Sequence, residues 1–526
     1  MSLTSVTFLL FVLALTVVYF LVPKKYQWTI LLAGSIIFYL STGVKNIAYI
    51  LITAFSTYMA TLYMQKVTDE QKKYFKENKA TLTKEEKSEI KKLNTRKRKM
   101  AMIAVLALNF GLLAMFKYVV FFMETINSLV FIFNDRAFSL FNNLIMPLGI
   151  SFYTFQTMGY LVDVYWGKYD AEKNFFKLLL FVSFFPQITQ GPISDYKKLT
   201  DDLFSEHEFT YRNYSYGVQR MMWGFYKKIA IADLIAPSLY SIFADYSHLS
   251  GIGTLCWAFL YSVQLYADFS GYMDIVCGMS EIWGIHLTEN FNTPYFSKSV
   301  SEYWRRWHMS LGTWFKTYIY YPIAVSKWNK NLSKTIQKKL NVKAQTFSAT
   351  LALIAVWLFT GLWHGATWGY VLWGGLNGMF VILAMWLEPV YRKTRSALKI
   401  NEQNPLWGVF QIARTFTLTT FIKVLPDVGT LSDGIGFLGN IFKKISVPFS
   451  SVELMPNGMI DFCFIALGIV LMFIADIIKT KGSIRDWLQE RPAIIRWGVF
   501  IVIFMMTIIC NDPMSAEAGG FMYAQF

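Results

Sequence analysis

The stretch GLWHGATWGYVLWG, residues 361–374, decides how the rest of the chain is read. It sets His364 between Trp363 and Gly365, with long apolar runs on both sides. An ionisable group at membrane depth is costly, so a histidine in such a place marks a functional site by default. Histidine is also the side chain suited to moving a proton near neutral pH. Two readings stand at this point. One is a proton-handling residue; the other is a histidine hydrogen-bonded between packed helices.

The composition supports membrane depth. Of 526 residues, 54% are hydrophobic and only 16% charged, against roughly 25% charged in a soluble domain. The mean hydropathy is +0.36. The length therefore divides into spans of about 20 residues better than into soluble domains. The N-terminal run MSLTSVTFLLFVLALTVVYFLVP lacks a basic leader and a small-residue cleavage site, so it reads as a first span. Further spans are expected near 28–42, 46–65 and 100–133, on both sides of His364 at 346–362 and 368–388, and at 405–425, 459–478 and 494–511. The expected total is about 11 transmembrane helices with re-entrant or interfacial pieces, in an all-α polytopic membrane protein of one domain, 1–526.

Charge sets the orientation. The chain carries a net +16. Residues 66–99 are dense in lysine and arginine, ending in the run Arg96-Lys97-Arg98-Lys99, and read as a helical hairpin on the cytoplasmic surface. Counting back through the spans also puts Lys24 and Lys25 in the cytoplasm and the N-terminus outside. The lysine-rich residues 326–345 are expected to form a polar cytoplasmic loop. The basic excess fits loops beside a membrane, where lipid headgroups are the expected contact, and no nucleic-acid motif is present. The tail 512–526 ends in aromatics.

Segments of mixed polarity should face protein. Residues 147–166 contain Gln156 and Asp163, and residues 252–284 contain Asp268 and Asp274. Residues 186–214 are too polar and too long for a tight turn, so re-entrant or interfacial structure is expected there. Lys227 and Lys228, in an amphipathic stretch, should reach an interface. Asp268 has two readings: it orients a histidine, or it is half of a structural ion pair, with Arg305, Arg306 or a histidine as partner.

The chain has five histidines. His207, His248 and His286 sit in polar connections and read as structural. His308 lies in EYWRRWHMSLGTWFKTYIYYP, residues 302–322. If that stretch is one helix, Trp304 and His308 share a face, as do Trp307 and Leu311. Arg305 and Arg306 beside it offer either a phosphate-binding pocket or arginines reaching the interface. A histidine kept from water favours its neutral form, which can take a proton from an attacking hydroxyl. No Gly-x-Ser-x-Gly elbow, HExxH, Walker loop or dinucleotide fingerprint occurs. The four cysteines lie in or beside apolar runs without metal spacing, so neither a disulfide framework nor a metal site is expected.

Three blocks carry a resemblance: QLYADFSGYMDIVCG (264–278), ENFNTPYFSKSVSEYWRRWHMSLGTWFKTYIYYP (289–322) and GLWHGATWGYVLWGGLNG (361–378). In order and approximate spacing the chain resembles the membrane-bound O-acyltransferase family, in its bacterial alginate-acetylation branch. The PQITQGPI segment, 186–193, fits as well. The resemblance implies a bundle of tilted and re-entrant helices around a tunnel, with His364 and His308 as catalytic histidines. It implies no cofactor, acetyl-CoA as cytoplasmic donor and an extracytoplasmic polysaccharide as final acceptor. A membrane-anchored, esterase-like acetyltransferase on the outer face would be the partner, and the bacterial cytoplasmic membrane the location. Trp304, Arg305, Arg306, Trp307, Trp363 and Asp268 are the expected substrate-binding residues. The rival within the family transfers D-alanine from a carrier protein towards teichoic acid. A rival of another class is a proton-coupled transporter, but no repeated half is visible.

Overall fold

The computed structural model of the chain describes residues 1–130, 146–445 and 458–511. Among these it is helical throughout, with one isolated antiparallel bridge, Phe291 to Trp307. Among the described residues five helices are long and apolar enough to cross a membrane: Val44–Glu77, Lys84–Lys117, Ala344–His364, Trp368–Ala397 and Met459–Lys481. Val6–Leu21, Val119–Val130 and Ala493–Ile509 are shorter apolar helices. With these eight the described residues fit the expected all-α polytopic membrane protein, and further helices such as Gly251–Ile282 carry polar residues that the fold buries in protein. The expected aromatic tail, 512–526, lies outside the described residues.

The contacts divide the chain into two units. The first comprises residues 1–215 with 279–288. Its core is an aromatic cluster in which Phe8 packs edge-on against Phe38 and Phe185, and Phe185 tilts against Trp283. The basic hairpin of 66–99 is present, but it is built from the polar ends of two long helices. Ile47–Glu77 and Lys84–Lys117 run on past their apolar parts, and Thr83 and Glu86 close a capping box at the turn. The polar residues of 147–166 face protein as expected. Gln156 is buried and donates to the Phe181 carbonyl at 2.8 Å, and Asp163 is buried and takes a bond from Lys168 at 3.0 Å. The Pro-Gly segment after residue 183 turns inward: Gln187, Gln190 and Ser194 are buried, and Gln187 holds the loop by donating to the Pro192 carbonyl at 3.0 Å. His207 and His286 serve structure. The ring of the first meets the Asp202 carbonyl at 2.7 Å, and that of the second the Asp202 carboxylate at 3.2 Å.

The second unit comprises residues 216–278 and 289–526. Two of its helices cross with almost no space between backbones. A methyl group on Gly224 would lie 2.6 Å from the Gly271 carbonyl oxygen, and one on Gly278 would lie 2.5 Å from that of Gly217. Small residues at such a crossing let dispersion and weak bonds operate where lipid gives no hydrophobic drive. The approach brings Lys227 and Lys228 against the carboxylates of the Gly251–Ile282 helix. Both lysines are buried, and neither reaches an interface as expected. Burial of an unpaired charge costs several kcal/mol, so the pairing decides their position.

The lysine-rich 326–345 also departs from expectation. Lys327–Leu340 is a helix, and its N-terminus is capped by the Ser326 hydroxyl, which accepts from the Asn329 amide at 3.3 Å. Asn329 is buried and its amide donates to Ile323 and Ser348 carbonyls, fixing the helix on its neighbours. The lysines, Trp328 and Leu332 remain outside, as in a helix lying along a membrane surface.

Candidate active site

The functional candidates in the second unit gather around a hairpin of two helices, Ala344–His364 and Trp368–Ala397. Glycines make this hairpin tight. A methyl group on Gly361 would come 2.5 Å from the Tyr370 carbonyl oxygen, and one on Gly374 2.5 Å from that of Trp357. His364 closes the first helix, and the chain then extends through Gly365, where the Tyr370 ring occupies the space a side chain would need. Thr367 caps the next helix by accepting from the Tyr370 amide. The three-residue turn thereby lays the Tyr370 ring nearly parallel to the His364 imidazole, 15° apart with centroids at 6.3 Å. The Trp373 ring meets the imidazole edge-on at 4.6 Å. His364 is buried.

His308 reaches the same place by a different backbone. The expected continuous helix is broken: Val300–Arg306 ends, Trp307 is extended, His308 takes φ 48°, and a new helix starts at Met309. A left-handed backbone at a non-glycine residue is uncommon and clusters at functional sites. Asn290 holds the break, its carbonyl accepting from the Met309 amide at 3.0 Å and its side chain from the Ser310 amide at 2.9 Å. The shared helical face of Trp304 and His308 therefore does not exist. Instead the turn places the buried His308 ring edge-on to Phe269 at 4.9 Å and to Trp363 at 5.6 Å. Trp363 in turn meets His364 at 4.8 Å. Both histidines thus meet one indole.

The remaining candidates separate. Trp304 and Trp307 line the cavity onto which His364 opens. Trp304 is anchored by donating to the Asn377 side-chain oxygen at 3.0 Å. The arginines do not make a wall around His308. Arg306 is committed to Glu302 at 2.7 Å and to the Thr293 hydroxyl at 3.1 Å, and Arg305 is exposed. Asp268 is bound to Lys228 at 2.7 Å, and Lys228 also holds Asp233 at 2.8 Å. Its ion-pair partner is thus Lys228, where the sequence suggests an arginine or a histidine. Asp274 is likewise shared by Lys227 at 2.6 Å and Arg220 at 2.9 Å.

Three residues were missed by sequence reasoning. Lys423, Asp427 and Tyr370 line the cavity of His364, together with Tyr261, Leu265 and Trp373. The volume is about 20 Å³, enough for one water molecule or one carbonyl oxygen. Asp427 accepts from the Tyr370 hydroxyl at 2.7 Å and from that of Tyr261, so it fixes the ring that lies over His364. A lysine inside an expected span was itself the signal, because such a residue calls for a function or a partner.

A much larger cavity of about 840 Å³ opens on the same unit. Its floor is the ion cluster of Arg220, Lys227, Asp274 and Glu289, and its walls are apolar side chains of Met459–Lys481 and Ala493–Ile509. Among the described residues no cluster of three or more histidines, cysteines or carboxylates has metal-site geometry.

The model of a family described as membrane-bound O-acyltransferase matches residues 170–422. The chain is similar to the peptidoglycan O-acetyltransferase of Helicobacter pylori, 33% identical over 454 residues, which cover 78% of this chain and 81% of that protein. It is also similar to the probable alginate O-acetylase AlgI of Pseudomonas aeruginosa, 35% identical over 291 residues, covering 55% and 52%. The teichoic acid D-alanyltransferase of Bacillus subtilis is 30% identical over 283 residues, covering 53% and 68%. The chain thus spans about half the length of the alginate O-acetylases it matches.

Proposed function

Given that the chain belongs to the membrane-bound O-acyltransferase family and is an all-α polytopic membrane protein, we propose that it moves an acetyl group from a cytoplasmic thioester, acetyl-CoA, to a hydroxyl acceptor. The modification would end on an extracytoplasmic polysaccharide, delivered by a membrane-anchored, esterase-like partner. The observation that carries this reading is the pair His364 and His308, both buried against Trp363, with His364 opening on a cavity the size of a carbonyl oxygen.

A thioester is already activated, so the protein's task is to position donor and acceptor and to handle one proton. In this reading the imidazole of His364 takes the proton of the acceptor hydroxyl as its oxygen attacks the thioester carbonyl carbon. The C–O bond forms, the tetrahedral intermediate collapses, the C–S bond breaks, and the departing thiolate takes the proton from His364. His308 supports the wall of the site through Trp363. Apolar packing around both histidines excludes the water that would hydrolyse the thioester. The proposed setting is the bacterial cytoplasmic membrane, with the N-terminus outside.

Acetyl is preferred to D-alanyl because the H. pylori peptidoglycan O-acetyltransferase is matched over a larger share of both chains than the B. subtilis D-alanyltransferase is. The test is donor competition. Purified chain in lipid nanodiscs is given labelled acetyl-CoA in one reaction and a D-alanyl carrier protein in another. Release of CoA with label passed to an acceptor supports the reading; turnover of the D-alanyl carrier alone replaces it with the rival.

A further inference from the structure

Lys423 is a buried cation whose surroundings suit chemistry better than burial alone. It lies near the end of the Pro405–Val424 helix, is 4% exposed, and lines the His364 cavity. Its ammonium group sits over three aromatic faces, at 4.8 Å from Tyr295, 4.8 Å from Tyr303 and 4.5 Å from Trp307. It donates one hydrogen bond, to the Tyr295 hydroxyl at 3.2 Å. The other buried lysines of this unit, Lys227 and Lys228, are neutralised by carboxylates. Among the described residues Lys423 takes part in no ion pair; Asp427, on the same cavity, is engaged by two tyrosines.

An ammonium has three donors, and aromatic faces stabilise its charge while consuming none of them. The cage therefore favours the ammonium form in a water-poor place and leaves donors to point at whatever fills the cavity. That cavity accommodates one oxygen atom and is shared with His364. We propose that Lys423 is a further catalytic residue: it donates to the carbonyl oxygen of the acyl group and stabilises the oxyanion that forms there. The inference rests on the acyl-transfer reading of His364. In the step, the acceptor oxygen bonds to the carbonyl carbon while its proton passes to His364, and the C=O electron pair moves onto the oxygen facing Lys423. Collapse restores the C=O bond, breaks C–S, and returns the proton from His364 to the thiolate. Lys423 keeps its protons throughout.

The test uses the full chain in nanodiscs, with acetyl-CoA as donor, N-acetylglucosamine oligomers as acceptor, and CoA release as readout. Lys423→Met keeps the length and the packing against the rings but removes the donors. It should lower kcat by about 100-fold, in the range found when one oxyanion donor is removed, with KM for acetyl-CoA changed less than threefold. Lys423→Arg, which restores charged donors, should recover at least tenfold of that loss. If the methionine variant does not fold, Lys423→Leu reads the same loss of donors and charge. A kcat within threefold of native for either neutral variant, beside an inactive His364→Ala, overturns the role of Lys423 and leaves His364 in place. A loss matched by a fallen unfolding temperature and not recovered by arginine also overturns it, making Lys423 only a plug for the cage. Native chain that releases no CoA, or full activity in His364→Ala, overturns the reading beneath it.

Discussion

Replacing Asp268 by asparagine separates structure from chemistry at the carboxylate that the sequence made most suspect. Asp268 is fully buried and bonds Lys228, which is 3% exposed at its side chain and also holds Asp233. The trio carries one positive and two negative charges, so removing one carboxylate leaves a neutral pair. The asparagine oxygen can still accept from Lys228. Asp268→Asn should therefore cost only about one weakened charged hydrogen bond, on the order of 1.5–3 kcal/mol. Lys228→Met instead strands two carboxylates away from water, and breaking a buried pair from that side costs about 3–5 kcal/mol. The predicted order is native, then Asp268→Asn, then Lys228→Met, in unfolding by graded denaturing detergent followed through tryptophan fluorescence. Transfer per folded molecule should stay within threefold of native for Asp268→Asn, because Asp268 does not line the His364 cavity. Abolished transfer with native unfolding would refute this and put Asp268 back among the reacting groups. A Lys228→Met variant as stable as native would refute the pairing argument itself.

Other outcomes follow from neighbouring contacts. Gly365→Ala pushes a methyl group into the Tyr370 ring, and should cut transfer at least tenfold by displacing the ring from His364, read as kcat with the unfolding temperature as control. Asn377→Leu leaves the Trp304 indole N–H without its acceptor and should cost about 1–3 kcal/mol, measured by the same detergent unfolding. Outside the spans, Asp195 takes bonds from Lys168 at 2.7 Å and Tyr169 at 2.8 Å. Burial alone would raise its carboxyl, but these bonds outweigh burial and hold it below the usual carboxylate value. A depressed folded value means the stabilisation is complete above the unfolded value of about 3.9 and is lost as pH falls through the folded one. Lys168→Met should flatten that acid loss; an unchanged acid unfolding profile contradicts it.

What could be read from residues alone followed the physics of each feature. Helical character, membrane depth and the burial of His364 come from local apolar runs, which leave their mark in sequence. The burial of Gln156 and Asp163 was legible for the same reason. Partner choice was not. Lys227 and Lys228 looked like interfacial residues because nothing local shows that Gly224 and Gly271 let two helices touch and bring them to Asp274 and Asp268. The break at His308 was hidden because Asn290, eighteen residues earlier, holds it by hydrogen bonds that helix periodicity cannot reveal. Lys423 and Asp427 lie about sixty residues from His364 in sequence, and their cavity exists only after folding.

The central claim is that His364 handles the proton of acyl transfer. Its most direct test is the rate of labelled acetyl transfer from acetyl-CoA by His364→Ala in nanodiscs, with native unfolding confirmed on the same sample. The account predicts a loss of at least 100-fold; transfer at the native rate by the folded variant would contradict it.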